Sequence, residues 1–264
     1  MKVFEDGLVS IVMPAYNATQ TIEASIKSVL AQDYPDWELI IVNDCSKDTT
    51  KEVVERFAST DSRVKLITLE KNGGISEARN TAIGNSTGRY LAFLDSDDMW
   101  KPQKLSKQLK FMVTRGYSFT FTSYELMDTH GKSLNKTIRA KREVDYRALL
   151  TNNCIGCLTV IIDRESHPII AMPKLRHEDY ATWLNLLRKG TKAFGLDEPL
   201  SVYRVTEGST SANKVKVIPW IWNIYRKSQG FGIFQSLYLL LVNLCKLILK
   251  YLKAGLLKRI FKRT

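Results

Sequence analysis

Residues 72–98 read NGGISEARNTAIGNSTGRYLAFLDSDD, and this stretch decides the fold. It combines a glycine turn, a segment with apolar residues at helical spacing, and the unbroken apolar run Tyr90–Leu94. A short apolar run between turn signals predicts a buried strand, and the periodic segment before it, Ser76–Ile83, predicts a helix. Asp95, Asp97 and Asp98 follow directly. The stretch therefore predicts a helix, a buried strand and an acidic strand end, in that order.

The same alternation of strand and helix runs through the first 125 residues. Further strands are predicted at Val9–Met13, Leu39–Val42, Val64–Leu69 and Ser118–Tyr124, and further helices at Thr21–Ala31, Thr49–Ala58 and Gln103–Val113. Alternation of this kind predicts an α/β fold with a mostly parallel central sheet flanked by helices. Such sheets bind ligands beyond the carboxyl ends of their strands, so functional residues are expected just after these strands.

The pattern is weaker beyond Glu125. A polar region extends to about Asn153, and it is followed by a predicted strand at Leu158–Ile162, a helix at Glu178–Leu187 and short strands at Ala193–Leu196 and Leu200–Val205. We expect these elements to complete the same domain, which the sequence bounds at residues 1–213.

The acidic strand end is the sharpest chemical feature. Carboxylates this close together repel one another, and a divalent cation among them removes the repulsion. Aspartate oxygens in small number, with room for phosphate oxygens and water, are the ligands that Mg²⁺ or Mn²⁺ prefers. The alternative is a solvated loop, or a cap formed by Asp98 for the helix that follows Pro102.

A second acidic site follows the predicted strand Leu39–Val42. Asp44 there could accept hydrogen bonds from a nucleotide base or ribose. Gly73 and Gly74, at a helix entry, could offer backbone N–H groups to an anion, and Arg79 could pair with phosphate or with the carboxylates. The alternative for the glycines is a simple turn.

A third acidic site begins the predicted helix Glu178–Leu187. A helix N-terminus stabilises an ionised carboxylate, so Asp179 would remain a proton acceptor at neutral pH. The alternative is that Glu178 and Asp179 only complement the helix dipole.

The positive charge is concentrated in one segment. The net charge is +12, and residues 208–264 contain 11 Lys and Arg but no Asp or Glu, so the first 207 residues hold only +1. A nucleic-acid-binding fold would spread basic residues across a folded face, so no nucleic-acid partner is expected.

The tail, residues 214–264, is both basic and apolar. Its run Ile233–Leu249 is interrupted by polar residues and is a poor spanning segment. An amphipathic basic helix of this kind can lie on anionic lipid. The alternative is a helix packed on the domain with a solvated basic face.

Two remaining features concern the compartment. The start MKVFEDGLVSIVMPAY lacks the pattern of a signal peptide, which predicts a cytoplasmic chain. The four cysteines are then expected to be thiols, although Cys154 and Cys157 form a C-x-x-C motif that leaves a redox or zinc site as the less favoured alternative.

Several of these segments together resemble the family 2 glycosyltransferases with a GT-A (Rossmann-like) fold, particularly bacterial enzymes that build O-antigen or capsule repeat units. The resemblance covers about residues 8–211. It rests on VSIVMPAYN at 9–17, WELIIVNDCSKDTT at 37–50 and residues 72–98, in that order.

The resemblance implies roles for matching positions. Residues contacting the nucleotide sugar would be Pro14, Tyr16, Asn17, Asp44, Arg79, Asp95, Ser96, Arg204, Ser209 and Ser211. Asp97 and the adjacent Asp98 would hold Mn²⁺ or Mg²⁺ on the diphosphate, and Glu178 and Asp179 would be the catalytic pair, with Asp179 the base. Many relatives have a metal-binding His where this chain has Thr206, which leaves the third protein ligand unassigned.

The resemblance also implies the reaction. A metal-dependent inverting glycosyltransferase would move glucose, galactose or an N-acetyl form from a UDP-sugar to a polyprenyl-diphosphate-linked sugar. The chain would then work peripherally at the cytoplasmic face of a bacterial inner membrane, with its tail on the lipid surface. Two alternatives are a sugar nucleotidyltransferase, whose glycine-rich opening is missing at 9–17, and a non-enzymatic basic module that binds membranes or nucleic acid.

Overall fold

The computed structural model describes residues 5–206 and 214–260, with the side chains of 5–206, 217–246, 248 and 249. The strands are β1 (Glu5–Ala15), β2 (Trp37–Asn43), β3 (Val64–Thr68), β4 (Gly88–Phe93), β5 (Met99–Trp100), β6 (Phe119–Met127), β7 (Ser133–Ile138), β8 (Glu143–Val144), β9 (Ile161–Asp163) and β10 (Ala193–Arg204). The helices are α1 (Ile22–Leu30), α2 (Thr50–Ala58), α3 (Ile75–Asn85), α4 (Lys104–Arg115), α5 (Tyr146–Leu150), α6 (Glu178–Leu187), α7 (Lys214–Asn223) and α8 (Ile233–Ile260), with a 3-10 turn at Cys157–Thr159 and a π-helical turn at Ile224–Ser228.

The strands form one sheet in the order β3-β2-β1-β4-β9-β6-β10-β5, with β7 added to β6 and β8 to β10. Strands β1 to β4 are parallel, and β6 is parallel to β10. The short β9 runs antiparallel between β4 and β6. The predicted α/β fold with a mostly parallel sheet flanked by helices is therefore confirmed.

Successive residues of the central strands face opposite sides of the sheet, and both sides are buried. All seven residues of β2 are buried, which explains its continuous apolar run. Leu39 and Ile41 pack in the cluster that includes α1 residues, such as Ile26, while Ile40 and Val42 pack in the cluster that includes Trp183 of α6. The sheet thus has a hydrophobic core on each face.

The middle of the chain contains structure that the sequence pattern does not predict. β7, β8 and α5 lie in the region expected to be polar connection. The predicted strand Leu158–Ile162 divides into a 3-10 turn and β9, because the Thr159 hydroxyl donates to the Gly156 carbonyl at 2.7 Å and closes the turn. The two strands expected around Pro199 are one strand, β10, whose register to β6 shifts on either side of that proline.

The amino ends of the central strands are joined by a buried polar cluster. Glu38 accepts hydrogen bonds from the Ser10 hydroxyl at 2.5 Å, the Thr87 N–H at 2.7 Å and the Lys65 ammonium at 2.7 Å. Burial raises the pKa of Glu38, but these hydrogen bonds and the charge of Lys65 outweigh it and lower the pKa to about 2. The cluster fixes β1, β2 and β3 at the sheet edge opposite the strand ends that sequence analysis selects.

The described part of the tail packs on the domain. Ile224 and Tyr225 of the π-helical turn and Leu239 of α8 belong to the same hydrophobic cluster as Trp183. Within the described residues, none of the helices has the length and apolar character needed to cross a bilayer. The division at residue 213 stays a prediction. The packing shows that Ile224, Tyr225 and Leu239 share the core of the preceding domain.

Candidate active site

Three loops meet at the carboxyl edge of the sheet. β1 pairs in parallel with both β2 and β4, so the chain leaves all three strands at the same edge. The loops that follow carry Asn17, Asp44 and Asp95. The topology therefore brings together residues that are far apart in sequence.

Asp44 is buried at the end of β2 and faces the glycine turn. Its two carboxylate oxygens accept hydrogen bonds from the N–H groups of Gly73, at 2.7 Å, and Gly74, at 2.9 Å. Gly74 has φ of 82° and directly precedes α3, a conformation that favours glycine. The N–H groups of Gly73 and Gly74, which could bind an anion, thus bind the carboxylate of Asp44.

The turn after β1 is fixed to the loop after β2. Asn17 has φ of 49°, its carbonyl oxygen Oδ1 accepts from the Lys47 N–H at 2.8 Å, and its own N–H donates to the Ser46 hydroxyl at 3.0 Å. Tyr16 beside it is 48% exposed, while Pro14 is buried within β1. Among the residues predicted to contact the nucleotide, Tyr16 is therefore exposed to solvent after β1, and Asn17 forms the turn that fixes its position.

Arg79 of α3 joins two of the acidic sites. Its guanidinium is 2% exposed and donates through Nη2 to Asp95 Oδ1 at 2.5 Å and through Nη1 to Glu178 Oε1. Asp95 follows β4, and Glu178 is the first residue of α6. A single buried arginine thus holds the acidic strand end and the catalytic-candidate helix together.

Burial sets the charge balance around this arginine. It raises the pKa of Asp97 to about 6, and the nearby charge of Asp95 adds to the rise. Burial also raises the pKa of Glu178; Arg79 acts against that rise and the charge of Asp179 adds to it. The edge therefore brings the four carboxylates Asp95, Asp97, Asp98 and Glu178 near two arginines, Arg79 and Arg204, and such an excess of negative charge attracts a cation.

Asp98 and Arg204 have partners within the protein. The buried Asp98 carboxylate accepts from the Arg204 N–H at 2.8 Å through Oδ1, and its Oδ2 has no hydrogen-bonding partner among the described residues. The Arg204 guanidinium donates to the carbonyls of Asp97, at 2.8 Å, and Thr129, at 3.0 Å. These contacts attach the end of β10 to the acidic loop. The alternative of a helix cap formed by Asp98 near Pro102 is not what the structure shows, because Asp98 accepts from the Arg204 N–H instead.

The remaining predicted site residues differ in burial and in their contacts with the rest of the protein. Ser96 is half-buried between Asp95 and Asp97. Asp179 is half-buried, and its carboxylate forms no hydrogen bond or ion pair with the described residues, in contrast to that of its neighbour Glu178. Ser209 and Ser211 lie outside the described residues. No three His, Cys, Asp or Glu side chains within the described residues are grouped so that they could hold a metal ion by themselves.

Three residues near the acidic loop or Arg79 have no predicted role at this site: Tyr124, Thr129 and Cys157. Tyr124 of β6 lies near Asp98; burial, followed by the charges of Tyr203 and Asp98, raises its pKa to about 12. The Thr129 carbonyl accepts a hydrogen bond from the Arg204 guanidinium. Burial raises the pKa of the Cys157 thiol, and the charge of Arg79 acts against that rise. All four cysteines are free thiols, as expected. No local motif marks Tyr124 or Thr129, and the C-x-x-C motif that contains Cys157 does not indicate its place near Arg79, because only the tertiary packing brings these residues together.

Comparison with known sequences gives the family. Residues 10–164 match the model of glycosyl transferase family 2. The chain is 46% identical over 230 residues to the putative teichuronic acid biosynthesis glycosyltransferase TuaG of Bacillus subtilis, covering 87% of this chain and 91% of TuaG. It is 41% identical over 221 residues to the Escherichia coli UDP-Glc:alpha-D-GlcNAc-diphosphoundecaprenol beta-1,3-glucosyltransferase WfgD, covering 83% of this chain and 86% of WfgD.

Solved structures share the fold at low sequence identity. Staphylococcus aureus TarS in complex with UDP-GlcNAc superposes with a TM-score of 0.66 at 22% identity, covering 89% of this chain and 71% of the TarS chain. The mannosyltransferase PcManGT of Pyrobaculum calidifontis, in complex with GDP-Man and Mn²⁺, superposes with a TM-score of 0.66 at 18% identity, covering 95% and 78%. The family match, the two relatives and this fold agree, and the chain belongs to glycosyl transferase family 2.

Proposed function

We propose that this glycosyltransferase moves a hexose or N-acetylhexosamine from a UDP-sugar to a hydroxyl of a polyprenyl-diphosphate-linked sugar, in the synthesis of a bacterial surface polysaccharide. The observation that carries the proposal is the contact of Arg79 with both Asp95 and Glu178. It joins the acidic loop, where the diphosphate would bind, to the helix that carries the base.

The donor and acceptor classes draw support from the relatives. WfgD is named for transfer from UDP-Glc to GlcNAc-diphosphoundecaprenol, and TarS was solved with UDP-GlcNAc. UDP-glucose is therefore the first donor to test. Tyr16, Asn17 and Asp44 would border the uridine, with Pro14 beneath them, and Ser96, Arg204, Ser209 and Ser211 would lie toward the diphosphate.

The acidic loop fits a divalent cation. Asp97 forms no ion pair with the described residues, and burial and the charge of Asp95 raise its pKa to about 6. Carboxylate oxygens of this kind suit Mn²⁺ or Mg²⁺ when phosphate oxygens complete the ligand set. We assign Asp97 as the principal ligand, with the free Oδ2 of Asp98 next to it. When bound, the cation would stabilise the negative charge that develops on the leaving diphosphate.

The base is Asp179. Its carboxylate is free of the ion pair that engages Glu178, and it lies in the first turn of α6. It would accept the proton of the acceptor hydroxyl as that oxygen attacks the anomeric carbon opposite the leaving group. A single displacement of this kind inverts the anomeric configuration. Glu178 would keep Arg79 in place.

The acceptor class also sets where the enzyme works. A polyprenyl diphosphate lies in the membrane with its sugar at the surface. The protein would therefore associate peripherally with the cytoplasmic face of the inner membrane. The sequence gives the tail the basic charge that anionic lipid attracts.

The test is transfer from a panel of UDP-sugars (UDP-Glc, UDP-Gal, UDP-GlcNAc and UDP-GalNAc) to a synthetic GlcNAc-diphosphate lipid, with Mn²⁺ or with a chelator. We expect metal-dependent release of UDP with one donor, and loss of metal-dependent nucleotide affinity in Asp97→Ala. Turnover that chelation leaves unchanged would contradict the metal assignment, and no turnover with any UDP-sugar would contradict the donor class.

The base has its own test. Asp179→Asn should lower the transfer rate by about 10² to 10⁴, because a positioned base contributes about that much, while nucleotide binding is retained. Asp36→Asn, at an exposed position before β2 on the opposite edge of the sheet, is the matched control and should keep full activity. Near-normal turnover of Asp179→Asn would refute the assignment.

A further inference from the structure

Helix α8 presents a continuous apolar stripe to solvent. Phe234 is 88% exposed, Tyr238 65% and Leu241 61%, and these positions recur at helical spacing. The stripe also includes the exposed Ile233, Leu237, Leu244, Ile248 and Leu249. Contiguous exposed apolar surface on a folded protein generally marks an interaction site.

The opposite face of α8 is already packed. Ser236 and Leu239 are buried, Leu240 packs against the core, and the Asn243 amide donates to the Leu150 carbonyl at 3.1 Å. The helix therefore cannot turn its apolar stripe inward without breaking these contacts. The stripe must be covered by something outside the domain.

The attachment of α8 leads to the catalytic-candidate helix. The Leu150 carbonyl, at the end of α5, accepts hydrogen bonds from the Tyr180 hydroxyl of α6 at 3.0 Å, from the Tyr225 hydroxyl at 2.5 Å and from Asn243. Tyr180 is the residue after Asp179. We call this three-donor contact the Leu150 junction. Through it, the stripe has a fixed position relative to the base.

The charge around the stripe favours an anionic surface. Arg226 and Lys227 precede α8 and are exposed, and Lys246 is exposed farther along it. Residues 208–264 contain no acidic side chain to oppose them. The Lys246 ammonium donates to the Thr151 hydroxyl, while Arg226 and Lys227 lie before the first turn of α8. An exposed apolar helix face with cations nearby in the chain is complementary to a bilayer that contains anionic lipid, since acyl chains accept the apolar side chains and headgroups attract the cations.

We propose that the outward stripe of α8 is the face that lies in an anionic lipid bilayer, and that the Leu150 junction holds the catalytic helix at a fixed position above it. The proposal rests on the proposed function, because a lipid-linked acceptor gives this arrangement its purpose. It goes further by naming the surface that binds lipid and the contact that orients the active site.

The test compares binding of the full chain to vesicles of phosphatidylcholine alone and of phosphatidylcholine with phosphatidylglycerol, by flotation without nucleotide or acceptor. The variant Phe234→Ser/Tyr238→Ser/Leu241→Ser should bind the anionic vesicles at least about a hundredfold more weakly, since losing one buried large apolar side chain costs about tenfold. The matched control is Ile169→Ser, because Ile169 is 84% exposed and is not part of α8; it should bind like the unaltered chain.

Equal binding by the triple variant and the unaltered chain would overturn the proposal. A triple variant that loses self-association while vesicle binding is unchanged would also overturn it, because the stripe would then face a second copy. Hydrogen exchange on the unaltered chain keeps the test valid if the variant misfolds: anionic vesicles should slow exchange in α8, and slowing confined to other segments would refute the proposal. Because the vesicles contain no acceptor sugar, failure of the proposed transfer reaction would leave these outcomes unaffected.

Discussion

Replacing Arg79 with methionine removes the one cation that contacts both Asp95 and Glu178 in the acidic site. The Glu178 side chain is 7% exposed and that of Asp95 is 28% exposed, so water cannot fully replace the lost partner. Removing one partner of a buried ion pair lowers the free energy of unfolding by about 3 to 5 kcal/mol, because an uncompensated charge remains inside. We expect Arg79→Met to lose about that much stability, together with transfer activity.

The measurement is urea unfolding followed by tryptophan fluorescence, with two comparisons. Lys107 and Glu198 form an ion pair at 2.6 Å with side chains 43% and 44% exposed, so Lys107→Met should lose less than about 1 kcal/mol. Arg79→Met/Glu178→Met should be more stable than Arg79→Met alone, since the second change removes the unpaired buried charge. A loss in Arg79→Met no greater than in Lys107→Met, or a double variant no more stable than the single one, would refute the reasoning.

Two further predictions concern the amino ends of the strands. Because the folded pKa of Glu38 is about 2 against an ordinary value of 4.5, its stabilisation is present above about pH 4.5 and is lost as the pH falls toward 2. Between pH 5 and pH 3 the unaltered chain should lose about 2 kcal/mol more unfolding free energy than Glu38→Gln, and equal losses in urea titrations would contradict this. Gly88→Ala would place a Cβ 2.5 Å from the Leu8 carbonyl oxygen and should lower the melting temperature by several degrees. Gly84→Ala is the control, because Gly84 lies inside α3 and the added Cβ would meet no described heavy atom within 4 Å outside the backbone of its own helix. This change should raise the melting temperature or leave it unchanged. Equal melting temperatures for Gly88→Ala and Gly84→Ala would refute the steric argument.

The fold was largely predictable from sequence because its central elements have local signals. The apolar runs of β1, β2 and β4 are long enough to predict buried strands, and α6 has the predicted bounds Glu178–Leu187. The region between Glu125 and Asn153 was not predictable in the same way. β7 and β8 are short and mostly exposed, and they exist because β6 and β10 offer edges to pair with.

The candidate site was predictable in its members but not in its contacts. The acidic triplet and the Glu178-Asp179 pair are visible as motifs beside predicted strand and helix ends. Their connection through Arg79 is not, because 99 residues separate Arg79 from Glu178 and only the packing of α3 and α6 on the same face brings them together. The same holds for Asp98, whose partner is the backbone of Arg204.

From the sequence alone we could predict the alternating strands and helices β1 to β4 and α1 to α4, the sheet edge at which the acidic residues lie and the concentration of positive charge in the tail. These depend on local periodicity, on strand polarity and on counting charges. Only the tertiary packing shows which carboxylates pair with an arginine among the described residues, and that α8 is attached to α6 through the Leu150 junction. Such choices depend on distances and burial between segments far apart along the chain, which no local pattern encodes.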